Sequence, residues 1–299
     1  MGAVIHVGEA ELQSVLEYEG NPMPLGFMFE QATERDLSEL ATWFQGDKLT
    51  ATPADSIVEL TWRTWVLQLA GWTMLLDTGL GNDKTREHPI DFCDHLHTPY
   101  LARLAALGVT PADVDAVVCT HLHFDHVGWN TTLSGGRWVP TFPNARYLLP
   151  TADLAHYASA DADHVTFPSF VDSVRPVMEQ GMVDPIGTAT PPLEYNGVEM
   201  TFQPVPGHSP GSTMVRIVSG GQRISFIGDL MHHPIQLVDP DLSLGIEENP
   251  CLSAQHRRRF LTQVADTSEL VAPAHFPGSG IGRVVTSPSG RGYAWVPAS

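Results

Sequence analysis

The chain has 299 residues with 16 Lys+Arg against 34 Asp+Glu, a net charge of −18, and 42% hydrophobic residues. That composition excludes a disordered chain, and the charge argues against nucleic acid or an anionic membrane as partner, because both want a basic face. The longest apolar stretch, Trp65 to Leu76, is interrupted by Gln68 and Thr73, and the N-terminus carries Glu9, Glu11 and Glu17 where a signal peptide would be basic and then apolar. A cytoplasmic protein is therefore expected.

Taken in chain order, Val4 to Val15 mixes β-branched and polar residues as a hairpin does. Residues 20–56 are rich in Gly, Pro and polar side chains, with one weak helical window over Glu34 to Phe44. A long irregular insertion is more often functional than idle, so a lid near the active site and a satellite cluster packed on the core are both open. Strands are expected over Thr64 to Leu69 and Thr73 to Asp77, split at Gly71. A helix follows Thr98-Pro99, with Leu101, Leu104 and Leu107 at helical spacing and Gly108 as its stop. Thr110 to Asp113 reads as a capping box opening one short turn. Ala116 to Cys119 is a buried strand running directly into His121. Further on, strands are expected over Arg146 to Leu149, Val198 to Pro204, Thr213 to Val218, Arg223 to Ile227 and Leu270 to Pro273. Helices are expected over Thr151 to Tyr157 and from a Ser253 cap through Val264. Of Arg257, Arg258 and Arg259, at least one should face solvent, and one could pair with a buried carboxylate. No repeat and no linker divides the chain, so a single domain over 1–299 is expected.

Three cysteines, Cys93, Cys119 and Cys251, lie far apart without a CxxC pair and read as isolated thiols. Histidine is the unusual residue, with 14 copies. His121-Leu122-His123-Phe124-Asp125-His126 contains the pattern HxHxDH, which a shuffled chain of this composition would hold about 0.002 times. Imidazole and carboxylate together suit a borderline cation such as Zn²⁺ better than Mg²⁺ or Ca²⁺. A six-residue loop cannot complete such a site. His208 in a Gly-rich turn, Asp229 at the end of an apolar strand and His275 after the last buried strand are the candidates to finish it. Asp94-His95-Leu96-His97 is a second HxH, placed just before a helix. His6, His88, His156, His164 and His256 read as surface or packing residues.

In order along the chain, the Asp77-Thr78-Gly79 turn, HxHxDH, Gly207-His208, Gly228-Asp229 and His275 resemble the metallo-β-lactamase superfamily of binuclear metallohydrolases. The resemblance implies an α/β (α+β) fold: an αββα sandwich of two mixed sheets face to face, helices on both outer faces and the metal site at one edge. It implies two Zn²⁺ per chain, with Mn or Fe as alternatives. His121, His123 and His208 would hold the first ion, Asp125, His126 and His275 the second, and Asp229 would bridge both. Asp77 matches a position that supports ligand geometry from behind. The implied function is hydrolysis, in which a metal-bridging hydroxide cleaves an ester or lactone of a hydrophobic small molecule. Asp125 or His232 would protonate the leaving group.

The spelling of the motifs is most similar to the lactonase and organophosphate-hydrolase branch, which includes N-acyl homoserine lactonases. Those lactonases usually carry Tyr three residues after the bridging Asp, where this chain has His232. Phosphotriesterase or thioesterase activity on the same site is an alternative. A reading of a different class is a di-iron, non-hydrolytic enzyme such as a persulfide dioxygenase. Phe124, Trp129, Met231 and His232, with Phe27 to Phe29 closing over them, are the expected pocket walls. The expected partner is a small-molecule substrate. Oligomeric state is left open, with a homodimer one option.

Overall fold

The computed structural model describes residues 4–87, 91–159 and 167–298. The first seven-stranded sheet begins with β1 (Ile5–Val7), β2 (Ala10–Pro24), β3 (Ile57–Leu69), β4 (Trp72–Leu76) and β5 (Ala116–Val118). A separate hairpin of β6 (Thr131–Ser134) and β7 (Arg137–Pro140) follows, and β8 (Arg146–Pro150) and β9 (Val183–Ile186) complete the sheet. The second sheet holds, in spatial as in chain order, β10 (Leu193–Tyr195), β11 (Val198–Pro204), β12 (Thr213–Ser219), β13 (Gln222–Gly228), β14 (Leu270–Pro273), β15 (Gly282–Thr286) and β16 (Tyr293–Pro297).

Strand alternation builds three layers of core from one pattern. On β4, Met74 and Leu76 face the opposite sheet and Leu75 faces outward. On β5, Ala116 and Val118 face in and Val117 out. The inner faces meet in a core that includes Trp65, Leu67, Val215, Ile217, Phe226 and Ala272. The outer face of the first sheet packs on helices Tyr100–Ala106 and Thr151–Ala158. The outer face of the second packs on helix Pro250–Val264, through Phe260, Leu261 and Val264. The architecture is thus the expected αββα sandwich, helices outside two mixed sheets.

Several boundaries differ from the sequence expectation. β2 continues to Pro24, through irregularities at Leu16/Tyr18 and Gly20/Met23 that keep it paired with β3. The last long helix begins at Pro250, capped by Asn249, whose side chain accepts from Leu252 N. Proline at the first helical position is pre-set for that start, and Ser253 lies inside the helix, where its hydroxyl takes a hydrogen bond from Arg257 at 3.2 Å. The strands at or near the sheet edges, β9, β10, β15 and β16, are short or mostly polar and carry no periodicity strong enough to find. Residues 25–56 form a packed satellite cluster: Leu25, Met28, Phe29, Leu37 and Leu40 are buried with Val58, Trp62, Ile235 and Leu242. His88 and His164 lie outside the described residues. Among the described residues, no helix is long and apolar enough to cross a membrane.

What matters for the site is strand direction. β4, β5, β8 and β9 run parallel, as do β13 and β14. Their carboxyl ends bring the loops that follow to the same edge of the sandwich. The turn after β4 is held from behind by Glu17. Its carboxylate accepts from Leu80 N (2.6 Å), Gly81 N (3.1 Å), the Trp129 indole (2.5 Å) and the Thr98 hydroxyl (3.3 Å). Burial outweighs these donors and pushes the Glu17 carboxyl from 4.5 up to about 7. With the folded value above the unfolded one, the associated stability is present below pH 4.5 and lost as pH rises through about 7. Across that window, wild type is expected to lose stability relative to Glu17→Gln by about 3 kcal/mol at most, read from Tm against pH. Parallel profiles for the two proteins would contradict this.

Candidate metal centre

Asp77 is the first residue past β4 and sits at φ 56°, a left-handed conformation uncommon for a non-glycine residue. That turn aims its carboxylate at the next loop. It accepts from Thr120 N at 2.7 Å and from the Thr120 hydroxyl at 2.9 Å, and its Oδ2 lies 2.8 Å from His126 Nδ1. His126 is thereby oriented with Nε2 toward the Asp229 carboxylate, 3.2 Å away. At the end of β13, Gly228 has φ 50°, and a Cβ there would stand 2.5 Å from Thr120 Oγ1. Only glycine lets the Asp229 strand end approach the histidine loop this closely.

Asp153, on the helix after β8, fastens two ligand loops together. Its carboxylate accepts from Leu122 N (2.9 Å), Gly211 N (2.6 Å) and the Ser209 hydroxyl (2.9 Å). His121 and His123 on one loop are so held against His208 on the other, with His208 Nε2 2.8 Å from His123 Nδ1. Burial pushes the Asp153 carboxyl up to about 6 against those donors. Behind His123, Nε2 lies 2.9 Å from the Tyr157 hydroxyl. On the other flank, His275 Nδ1 sits 2.9 Å from Thr61 O, so Nδ1 carries the hydrogen and Nε2 faces inward. Trp62 Nε1 donates to Asp125 Oδ2 at 3.0 Å.

At the centre is the Asp229 carboxylate. Nε2 of His121, His126, His208, His232 and His275 lie 3.7, 3.2, 3.3, 3.1 and 3.2 Å from its oxygens. Burial alone would raise the Asp229 carboxyl, but the imidazoles of His126, His275, His232 and His121 outweigh it and hold it well below the usual range. Burial drives His121 and His208 well below the ordinary imidazole value and His123 down to about 4. Burial also opposes protonation of His126, yet Asp229, Asp77 and Asp125 prevail and hold it high. His121, His123 and His208 are thus neutral imidazoles, the form that ligates metal.

Three groups of side chains place their ligand atoms within 4.8 Å of one another: His121, His123 and His208; Asp125, His126, Asp229 and His275; and His208, Asp229 and His232. The first two bring together the side chains that the resemblance assigned to each ion, with Asp229 in the second. Whether the residues fit such ions is tested by their unpaired atoms. His121 Nε2, His126 Nε2, His208 Nδ1 and Asp229 Oδ1 are buried without a hydrogen-bond partner. Buried polar groups are ordinarily paired, so this concentration of orphans is what a ligand set for divalent cations looks like. His232 is placed here too, with both ring nitrogens buried and unpaired.

The pocket walls need correction. Trp129 is buried, stacked on Tyr100 at 4.8 Å and tied to Glu17, because the turn of Gly128–Asn130 folds it inward. Met231 packs in the cluster with Phe260 and Phe276, and Phe29 is buried in the satellite cluster. Phe27 is 74% exposed, closing over nothing. Phe124 is half-buried beside the partly buried His123 and Asp125. Next to it stands Phe92 (ring centroids 6.4 Å apart), followed by Trp62 and Tyr18 (Phe92–Trp62 5.2 Å, Tyr18–Trp62 5.5 Å). Tyr18, Trp62, Phe92, Asp153 and Tyr157 belong to no sequence motif; the paired strands β2 and β3 bring in Tyr18 and Trp62, a short helical turn Phe92, and the helix after β8 Asp153 and Tyr157. The second HxH is exposed, its His97 beside Asp83 at 3.5 Å, and takes no part in the centre.

The Metallo-beta-lactamase superfamily model matches residues 63–275, and the chain belongs to that superfamily of metallohydrolases. No curated protein matches it by sequence. Among solved structures it is similar to the hydrolase AbOPH of the beta lactamase superfamily, with a TM-score of 0.78 and 20% identity over 99% of this chain and 97% of the other. It is similar to AidC, a dizinc quorum-quenching lactonase, with a TM-score of 0.74 and 21% identity over 99% and 97%. A probable metal-dependent hydrolase from Staphylococcus aureus gives a TM-score of 0.73 and 19% identity over 99% of both chains.

Asp153→Ala is expected to weaken divalent-metal affinity about 10–100-fold, because it unfastens the loops that hold His121 and His123 against His208. Competition against a chromogenic chelator measures this, and wild-type affinity in the variant would contradict it.

Proposed function

We propose that this chain is a hydrolase that holds two divalent ions, zinc foremost, and cleaves an ester or lactone of a hydrophobic small molecule. The observation that carries the reading is the pair of ligand groups sharing one edge, one of three neutral histidines and the other of histidines with carboxylates. His121, His123 and His208 would hold one ion, Asp125, His126 and His275 the other, and Asp229 stands between them. Two such ions would supply a water activated near neutral pH and a Lewis acid for the substrate's oxygen.

The remaining work falls to the chain's own side chains. His232 Nε2 lies 3.1 Å from Asp229 Oδ2, with no hydrogen-bond partner at either nitrogen. It is placed to hold a proton and give it to the leaving alkoxide. Asp125 is less suited to that role, because Trp62 Nε1 already donates to its Oδ2. Substrate would enter where His123 and Asp125 meet solvent, a mouth bordered by Phe124, Phe92 and Tyr18. An apolar rim with few polar groups favours a hydrophobic acyl or aryl portion. The full-length likeness to a dizinc lactonase supports the choice of lactones and esters as the substrates to try first.

Exhaustive chelation is expected to abolish turnover of lactones and aryl esters, and added Zn²⁺ or Mn²⁺ to restore it; turnover that survives chelation would overturn the reading. Separately, His232→Ala should lower kcat about 10²–10⁴-fold with bound metal unchanged. An unaffected kcat would remove His232 from the chemistry.

A further inference from the structure

His232 and its neighbour His233 point opposite ways. His232 faces Asp229, and its ring lies parallel to that of His275, centroids 5.6 Å apart. His233 is fully buried among residues of the 25–56 segment. Its Nδ1 accepts from Ile235 N at 3.1 Å, so the ring hydrogen sits on Nε2 and is donated to Asp47 Oδ2 at 2.6 Å. Phe44 meets the ring edge-on at 5.6 Å and Phe29 flanks it at 6.2 Å. Asp47 is anchored in turn: its Oδ1 accepts from Glu59 N at 3.5 Å, and the adjacent Lys48 pairs its backbone with Ile57. The loop that bears both histidines is closed by Gln236, whose Oε1 accepts from His232 N at 2.7 Å and His233 N at 3.3 Å.

The two histidines share a peptide plane and the Gln236 clamp on their N–H groups, so a socket that fixes His233 restrains the backbone that carries His232 toward Asp229. We propose that Asp47 and His233 form a latch by which the 25–56 segment holds His232 over the metal centre, and that Asp47 is a positioning residue for the reaction. The proposal rests on the reading of His232 as the proton-holding group. Residues 25–56 then serve the chemistry from outside the ligand set, without covering the site.

The test compares Asp47→Ala with Asp47→Asn, each alone and combined with His232→Ala, in the metal-loaded full chain. Asp47→Ala is expected to lower kcat about 10–100-fold while KM for a small aryl ester and bound metal stay as in wild type. Asp47→Asn keeps an oxygen acceptor for His233 Nε2–H and should recover most of the loss. In the His232→Ala background, Asp47→Ala should cost nothing further. Hydrogen exchange supplies a readout independent of turnover: Asp47→Ala should speed exchange in residues 45–57 and 230–236 together, and Asp47→Asn in neither. A full-sized loss of kcat on top of His232→Ala, or faster exchange confined to 45–57, would overturn the latch. Should no substrate be turned over, the hydrolase reading fails, and the exchange pattern still decides the latch by itself.

Discussion

A carboxylate removed from water and ringed by imidazoles organises this molecule. Asp229 is buried, and Nε2 atoms of five histidines approach its oxygens within 3.1–3.7 Å. Burying one ionised group is expensive unless it is paired or bound to metal. Here the cost is spread over loops from both sheets, which must converge to within an ångström or so to be of use. The remaining architecture can be understood as the means of that convergence.

The means recur. Three buried carboxylates outside the ligand set each bind backbone N–H groups of a loop that carries or braces ligands: Glu17 on the Leu80–Gly81 turn, Asp77 on Thr120, and Asp153 on Leu122 and Gly211. Arg257 does the converse job. Buried in the long outer helix, it donates to Leu230 O, Pro240 O and Leu242 O and pairs with Glu247 at 3.0 Å, closing the chain that follows Asp229. A carboxylate collects N–H groups and a guanidinium collects carbonyls, so between them they satisfy irregular backbone that neither sheet nor helix can. Parallel strands supply the coarse placement, and these side chains supply the fine placement.

How much of this was legible follows from the range of each signal. The central strands and outer helices show as local periodicity, and the side chains gathered at the edge, His121, His123, Asp125, His126, His208, Asp229 and His275, as a dense motif with later residues at strand ends. Of the three adjacent arginines on the outer helix, Arg257 pairs inside with Glu247 and Arg258 outside with Asp241, as neighbours on a helix face different ways. Long-range features did not show. Trp62 reaches Asp125 across 63 residues and Tyr157 reaches His123 across 34, and no spacing rule connects them. Trp129 and Met231 sit beside ligands in sequence, yet the backbone turns their side chains into the core. Neighbourhood in the chain is a poor guide to pocket walls, because consecutive residues in a tight loop face different ways.

Anomalous diffraction from zinc-loaded crystals tests the central claim most directly. Two peaks are predicted, about 3.5–4 Å apart, one about 2.0–2.1 Å from nitrogens of His121, His123 and His208. The other should touch Asp125, His126 and His275, with Asp229 reaching both. A single peak, or metal held away from Asp229, would contradict the account.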